Sequence, residues 1–152
     1  MVPAKYVGRF VGREELLQRL RLEISTALAA SSCPRRFVIQ ALGGQGKSQV
    51  ALEFCRRSKT AGLFRGIFWV NATSQATTTR DFEIIASRFD PSVAASLPDS
   101  ESKREFVKQK LESWRECWLL VFDNYDNVDA FGDIGEFFPL GETQDIAILV
   151  QL

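Results

Sequence analysis

FVIQALGGQGKSQVALEF, residues 37–54, is the stretch that decides the fold. FVIQAL (37–42) is a short, mostly apolar run that includes Val38 and Ile39, and it reads as a buried strand. The glycine cluster GGQG (43–46) follows at once. After it, KSQVALEFCRRSKT (47–60) places Val50, Ala51, Phe54 and Cys55 on one side of a helix. Strand, glycine loop and helix in that order form the setting that a phosphate-binding loop requires. Glycines let successive backbone N–H groups turn inward. Together with the positive end of the helix, those donors cradle phosphate oxygens. The pattern GxxxxGK, followed by Ser or Thr, asks for glycine at position 41. The chain has Ala41 there, while Gly43, Gly44 and Gly46 remain. Lys47 is the mobile point charge that reaches the outer phosphates. Ser48 offers a hydroxyl to Mg²⁺. Without a ligand, the same residues describe a glycine-rich turn at a helix start.

Outward from this centre, helix and strand alternate. Upstream, residues 13–29 carry Leu17, Leu20, Ile24 and Leu28 at helical spacing, and Pro34 lies in the break that follows. Downstream, GIFWVNA (66–72) reads as a second strand. TTTRDFEIIASRF (77–89) is a helix with Phe82, Ile85, Ala86 and Phe89 on one face and Thr77 or Thr78 as its N-cap. DPSVAASLPDS (90–100) reads as a loop with two prolines. The helix of residues 102–114 opens with Ser102 and Glu105 at capping-box spacing. WLLVFD (118–123) is a third, continuously apolar strand. DNYDNVDAFGDIG is turn-rich with room for one helical turn, and IAILV (146–150) is a fourth strand. Strands apolar on both faces and separated by helices predict an α/β fold, a three-layer parallel sheet with helices on both faces.

The end of the third strand carries a second signal. Four apolar residues followed by Asp123 resemble a Walker B strand, whose aspartate holds Mg²⁺ directly or through water beside a phosphate loop. Asp126 stands in the turn beyond, either as a candidate catalytic acid or as ordinary turn chemistry. A third signal is FVGRE (10–14), which opens the first helix.

Composition removes several other functions. The 152 residues hold 19 basic and 19 acidic side chains and no histidine. Zero net charge argues against a nucleic-acid binder. The basic pairs Arg35–Arg36 and Arg56–Arg57 read as solvated positions. The absence of histidine excludes Ser-His-Asp and Cys-His catalysis and histidine metal sites. No apolar run approaches the ~20 residues of a membrane helix. Cys33, Cys55 and Cys117 are odd in number and widely spaced. They suit a reducing, cytoplasmic setting.

Taken together, FVGREELLQRL, ALGGQGKSQVALEF, GIFWVNATS, LLVFDNYDN and IAILV resemble the start of an NB-ARC domain. This is the P-loop NTPase module of signal-transduction ATPases with numerous domains. The GGQGKSQ and FDN wording is nearest to fungal, NLR-like members. The resemblance covers residues 8–150 and makes 1–152 a partial nucleotide-binding domain, with an N-terminal helix bearing FVGRE (1–30) and a P-loop core (36–152). It implies an ADP- or ATP-binding switch with Mg²⁺. Val11, Gly12 and Arg13 would contact the adenine side. Gly43, Gly44, Gln45, Gly46, Lys47 and Ser48 would hold the phosphates, with Gln49 beside the α-phosphate. Ser48 and Asp123 would hold the metal. WVNATS would approach the γ-phosphate side. Many related ATPases place a second acid after the metal-associated aspartate. Here Asn124 cannot act as a base, so hydrolysis is expected to be slow or absent.

The family's γ-phosphate-sensing arginine motif, its fifth strand and its helical subdomains have no match here. The fold expected is therefore incomplete, with about four strands and the last missing. In the order 5-1-4-3-2 that leaves FVIQAL on an edge, open to self-association. Two other readings stand beside the switch. One is an AAA+-type ATPase module. The other is a non-catalytic remnant or decoy that binds full-length relatives. The partners implied are nucleotide and other NLR-like chains, with no nucleic acid and no membrane.

Overall fold

The computed structural model describes residue 2 and residues 12–29, 35–40, 46–139 and 145–151. They form an α/β fold built on a small parallel sheet. The order along the chain is α1 (Glu14–Ala29), β1 (Arg35–Gln40), α2 (Lys47–Thr60), β2 (Gly66–Asn71), α3 (Gln75–Phe89), α4 (Pro91–Ser96) and α5 (Ser100–Glu112). Then come β3 (Trp118–Asp123), α6 (Val128–Phe131), a 3-10 turn (Ile134–Phe137) and β4 (Asp145–Gln151). All neighbouring strands are parallel, in the order β1-β4-β3-β2. This leaves β1 at one edge among the described residues, with Val38 55% exposed.

Alternation along β3 explains how helices cover the sheet. Trp118, Leu120 and Phe122 join one hydrophobic cluster with Phe82, Ile85 and Ala86 of α3 and Val107 and Leu111 of α5. Leu119 and Val121 join another with Leu17, Leu20 and Ile24 of α1 and Val50, Ala51, Phe54 and Cys55 of α2. Successive strand side chains point to opposite faces, so every residue of β3 is buried. That is why the strand reads as a continuous apolar run.

Three local expectations are corrected. α3 begins at Gln75 with Ser74 as its N-cap. Ser74 Oγ accepts from the Thr77 N–H, and Thr77 Oγ1 accepts from the Ser74 N–H. Thr77 is thus the third helical residue of a capping box, and Thr78 lies within the helix. α5 begins at Ser100, capped by Asp99, whose carboxylate accepts from the Ser102 N–H. Glu105 instead accepts from Lys108 Nζ at 2.9 Å. Residues 91–96, expected as loop, form α4. Asp90 caps it and Pro91 opens it, where a missing N–H costs nothing. No described helix is long and apolar enough to cross a membrane.

Candidate functional site

The parallel sheet carries a polar rim at the carboxyl ends of its strands. Asn71 ends β2 and Asp123 ends β3, and the two are Cα partners. β1 leads into α2, which packs in the cluster with Leu119 and Val121. β3 leads instead toward Phe131 and Phe137, which pack in the opposite cluster. The carboxyl ends of the strands are the usual ligand position in parallel α/β folds.

α2 points its first turn at this rim. Its N-cap is Gly46, in the left-handed conformation (φ 74°), with no side chain capping the helix. α3, α4 and α5 each have a Ser or Asp there. An uncapped first turn presents backbone N–H groups and the positive end of the helix dipole to an anion. Lys47 is buried at the start of α2 and Ser48 is partly buried. Ser48 Oγ donates to Asp123 Oδ1 at 2.7 Å, although 75 residues separate them. The two strongest signals of the sequence therefore meet in one contact.

Asp123 is only 8% exposed. Burial raises its carboxyl above the ordinary carboxylate range, and the nearby charge of Asp126 adds to that. The Ser48 hydroxyl, the Asn124 N–H and the Lys47 charge draw it the other way. A hydroxyl and a carboxylate are the hard oxygen donors that Mg²⁺ takes, so the residues present suit that metal. Asn124 is exposed and left-handed (φ 64°), a conformation asparagine adopts more readily than most residues. Asp126 is exposed beyond it.

The other expected residues divide. Gly12 (φ 88°) and Arg13 (φ 57°) stand exposed at the start of α1, where the Arg13 carbonyl accepts from the Leu17 N–H. Arg13 and Lys47 line one groove of about 340 Å³ with Leu20, Val38 and Gln40. Gln49 lies partly buried in the first turn of α2. Val11, Ala41, Gly43, Gly44 and Gln45 lie outside the described residues. Cys55 is buried, and desolvation pushes its thiol up to about 12, which removes it as a nucleophile at neutral pH.

Asn71 lies within WVNATS (69–74), the segment that the resemblance brings to the γ-phosphate side, although no single residue of it was a candidate. The signal was present nonetheless. A polar residue closes the apolar run GIFWV just as Asp123 closes WLLVF.

No family model matches the chain. It is similar to a nucleotide-binding leucine-rich repeat (NLR)-like protein of Hyaloscypha variabilis, with 28% identity over 129 residues, 84% of this chain. The matched stretch spans 13% of that relative's length.

Proposed function

We propose that this chain is an ADP/ATP-binding switch module of an NLR-like signalling receptor, with the incomplete three-layer sheet of a P-loop NTPase of the NB-ARC type. The observation that carries the reading is the Ser48–Asp123 hydrogen bond at the uncapped start of α2. It supports a phosphate site in which residues 43–48 surround the phosphates and Lys47 supplies positive charge. Ser48 and Asp123 would hold Mg²⁺, which when bound neutralises phosphate charge. The name of the similar protein supports the same reading. Asn124 offers no carboxylate to activate water, which favours slow or absent hydrolysis. Different affinities for ADP and ATP would then bias the arrangement of attached domains. In this reading the module works in the cytoplasm and contacts other NLR-like chains.

Thermal unfolding with and without Mg²⁺-ADP tests it. A ligand at about 100 times its dissociation constant adds about 2.7 kcal/mol. For a domain of this size that is a shift of roughly 5–10 °C. Lys47→Ala is expected to abolish the shift. A cooperative transition with no shift in the unaltered chain would overturn the reading.

A further inference from the structure

Two stripes of α1 face two different hollows. Glu14, Leu17 and Arg21, at steps of three and four, line one of about 160 Å³ between α1 and α2, with Phe54 and Arg57 across it. Arg13, Leu16 and Leu20, each one residue earlier along the chain, line the groove of about 340 Å³ that Lys47 borders. That groove has the size of a small-ligand site. Whatever fixes the first stripe against α2 also fixes the second as a wall of the groove, because both belong to one helix.

Among the described residues, apolar packing stops short of the start of α1. Leu17 is the first residue of the helix in the cluster shared with α2. Upstream of it Glu15 and Leu16 are exposed, and Gly12 and Arg13 form a left-handed corner. A first turn in that position frays unless something ties it down. Arg57 does so. Its two terminal nitrogens donate to the Glu14 carboxylate, Nη2 to Oε2 at 2.9 Å and Nη1 to Oε1, which makes the pair bidentate. These hydrogen bonds hold the Glu14 carboxyl below its ordinary range. Arg57 is itself fixed on α2, since its Nε donates to Oε1 of the buried Glu53 at 2.7 Å. A lone exposed ion pair contributes little to stability. This one is bidentate, anchored on a buried carboxylate and set across a hollow, so its effect is to fix a position.

We propose that the Glu14–Arg57 pair is a latch that positions α1 for nucleotide binding, by fixing the Arg13–Leu16 wall of the groove beside Lys47. The inference rests on the phosphate-site reading above. Phosphates held at the start of α2 leave the rest of a nucleotide beside Lys47, and the groove is the hollow that Lys47 shares with α1. Leu16 and Leu20 give its wall an apolar surface, which suits a base better than a phosphate. Neither Glu14 nor Arg57 lines the groove, so both are positioning residues. A wall held in place before binding costs the ligand less to order.

Affinities for Mg²⁺-ADP and for Mg²⁺-pyrophosphate, measured by calorimetry, separate this role from a structural one. Pyrophosphate carries the phosphates without the nucleoside. ADP is expected to bind the unaltered chain about tenfold or more tighter than pyrophosphate. Arg57→Ala and Glu14→Ala are each expected to weaken ADP about fivefold or more, and the double variant no more than either alone, because all three remove the same latch. Pyrophosphate affinity is expected to stay within about twofold in these variants. Arg65→Ala removes an exposed ion pair with Glu116 that lines neither hollow, and it is expected to change neither affinity. Equal losses for ADP and pyrophosphate, no loss, additive losses in the double variant, or the same ADP loss in Arg65→Ala would overturn the proposal. Loss of cooperative thermal unfolding in the latch variants would assign the pair to the fold and overturn it too. An unaltered chain that bound both ligands equally would keep the phosphate site and overturn the latch. One that bound neither would sink the phosphate site itself, and the latch with it.

Discussion

The two faces of the sheet are held by different means. On the α3/α5 face the core is aromatic. Phe82 lies edge-on to Phe137 at 5.1 Å, Phe122 meets Phe138 at 5.0 Å, and Phe68, Phe89 and Trp114 form a second group. Its helices are closed at their N-termini by Ser74, Asp90 and Asp99. On the α1/α2 face the buried residues are mostly aliphatic, and an ion network joins the helices. Arg57 bonds Glu14 of α1 and Glu53 of α2, and Glu53 also accepts from Arg56. There α2 has no capping side chain. The helices of one face thus start at capping side chains, whereas α2 on the other starts at Gly46, at the rim where Ser48 meets Asp123. A helix start with no side chain laid across it suits an anion.

The contrast sets expected outcomes of decreasing size. Phe82→Ala empties a site that is 1% exposed, and the expected loss is about 3–5 kcal/mol in denaturant unfolding. Because Phe82 lies on the far face from α2, the variant is expected to keep the stabilisation by Mg²⁺-ADP. If that increment disappeared together with the core, the two faces would not be separable.

Acid should act on the other face first. Hydrogen bonds from Arg56 hold the Glu53 carboxyl at about 2, against burial that would raise it, with Arg57 assisting. A lowered carboxylate contributes stability that is complete above its unfolded value near 4.5 and is lost as pH falls toward about 2. Since both arginines are partly exposed, the effect is about 2 kcal/mol at low salt and smaller at high salt. Hydrogen exchange between pH 5 and pH 2.5 should show amides of α1 and α2 losing protection before those of α3 and α5. Simultaneous loss on both faces would contradict this.

The smallest effect is at a cap. Ser74→Ala removes the acceptor for the Thr77 N–H and is expected to cost about 1 kcal/mol. Nucleotide affinity should be unchanged, since α2 has no cap of this kind to lose. A fall in affinity would mean that the start of α3, just beyond Asn71, is mechanically tied to the phosphate site.

Much of this arrangement was readable in advance. WLLVFD matches β3 at both ends, and KSQVALEFCRRSKT matches α2 at both ends, because continuous apolar runs and helical spacing report burial directly. The caps were harder to place. Ser74, Thr77 and Thr78 are all competent cap residues within one turn, as are Asp99 and Ser102, and only the point where the chain leaves the sheet selects among them. α4 was missed because two prolines in residues 90–100 suggested a loop, although Asp-Pro is also a helix start.

By itself, the sequence determined that a helix bearing Lys47 and Ser48 follows a strand through glycines, and that an aspartate closes a buried strand. Local propensity and apolar periodicity suffice for that, since both act within a few residues. The first strand, expected to be buried, is an edge strand among the described residues, with Arg36, Val38 and Gln40 exposed. Only the tertiary structure decided that Ser48 touches Asp123 and that Asn71 is the next polar group along the rim. Those relations depend on strand order, register and the face each strand end presents. These in turn are set by how two layers of helices bury a shared sheet, which no local stretch of residues encodes.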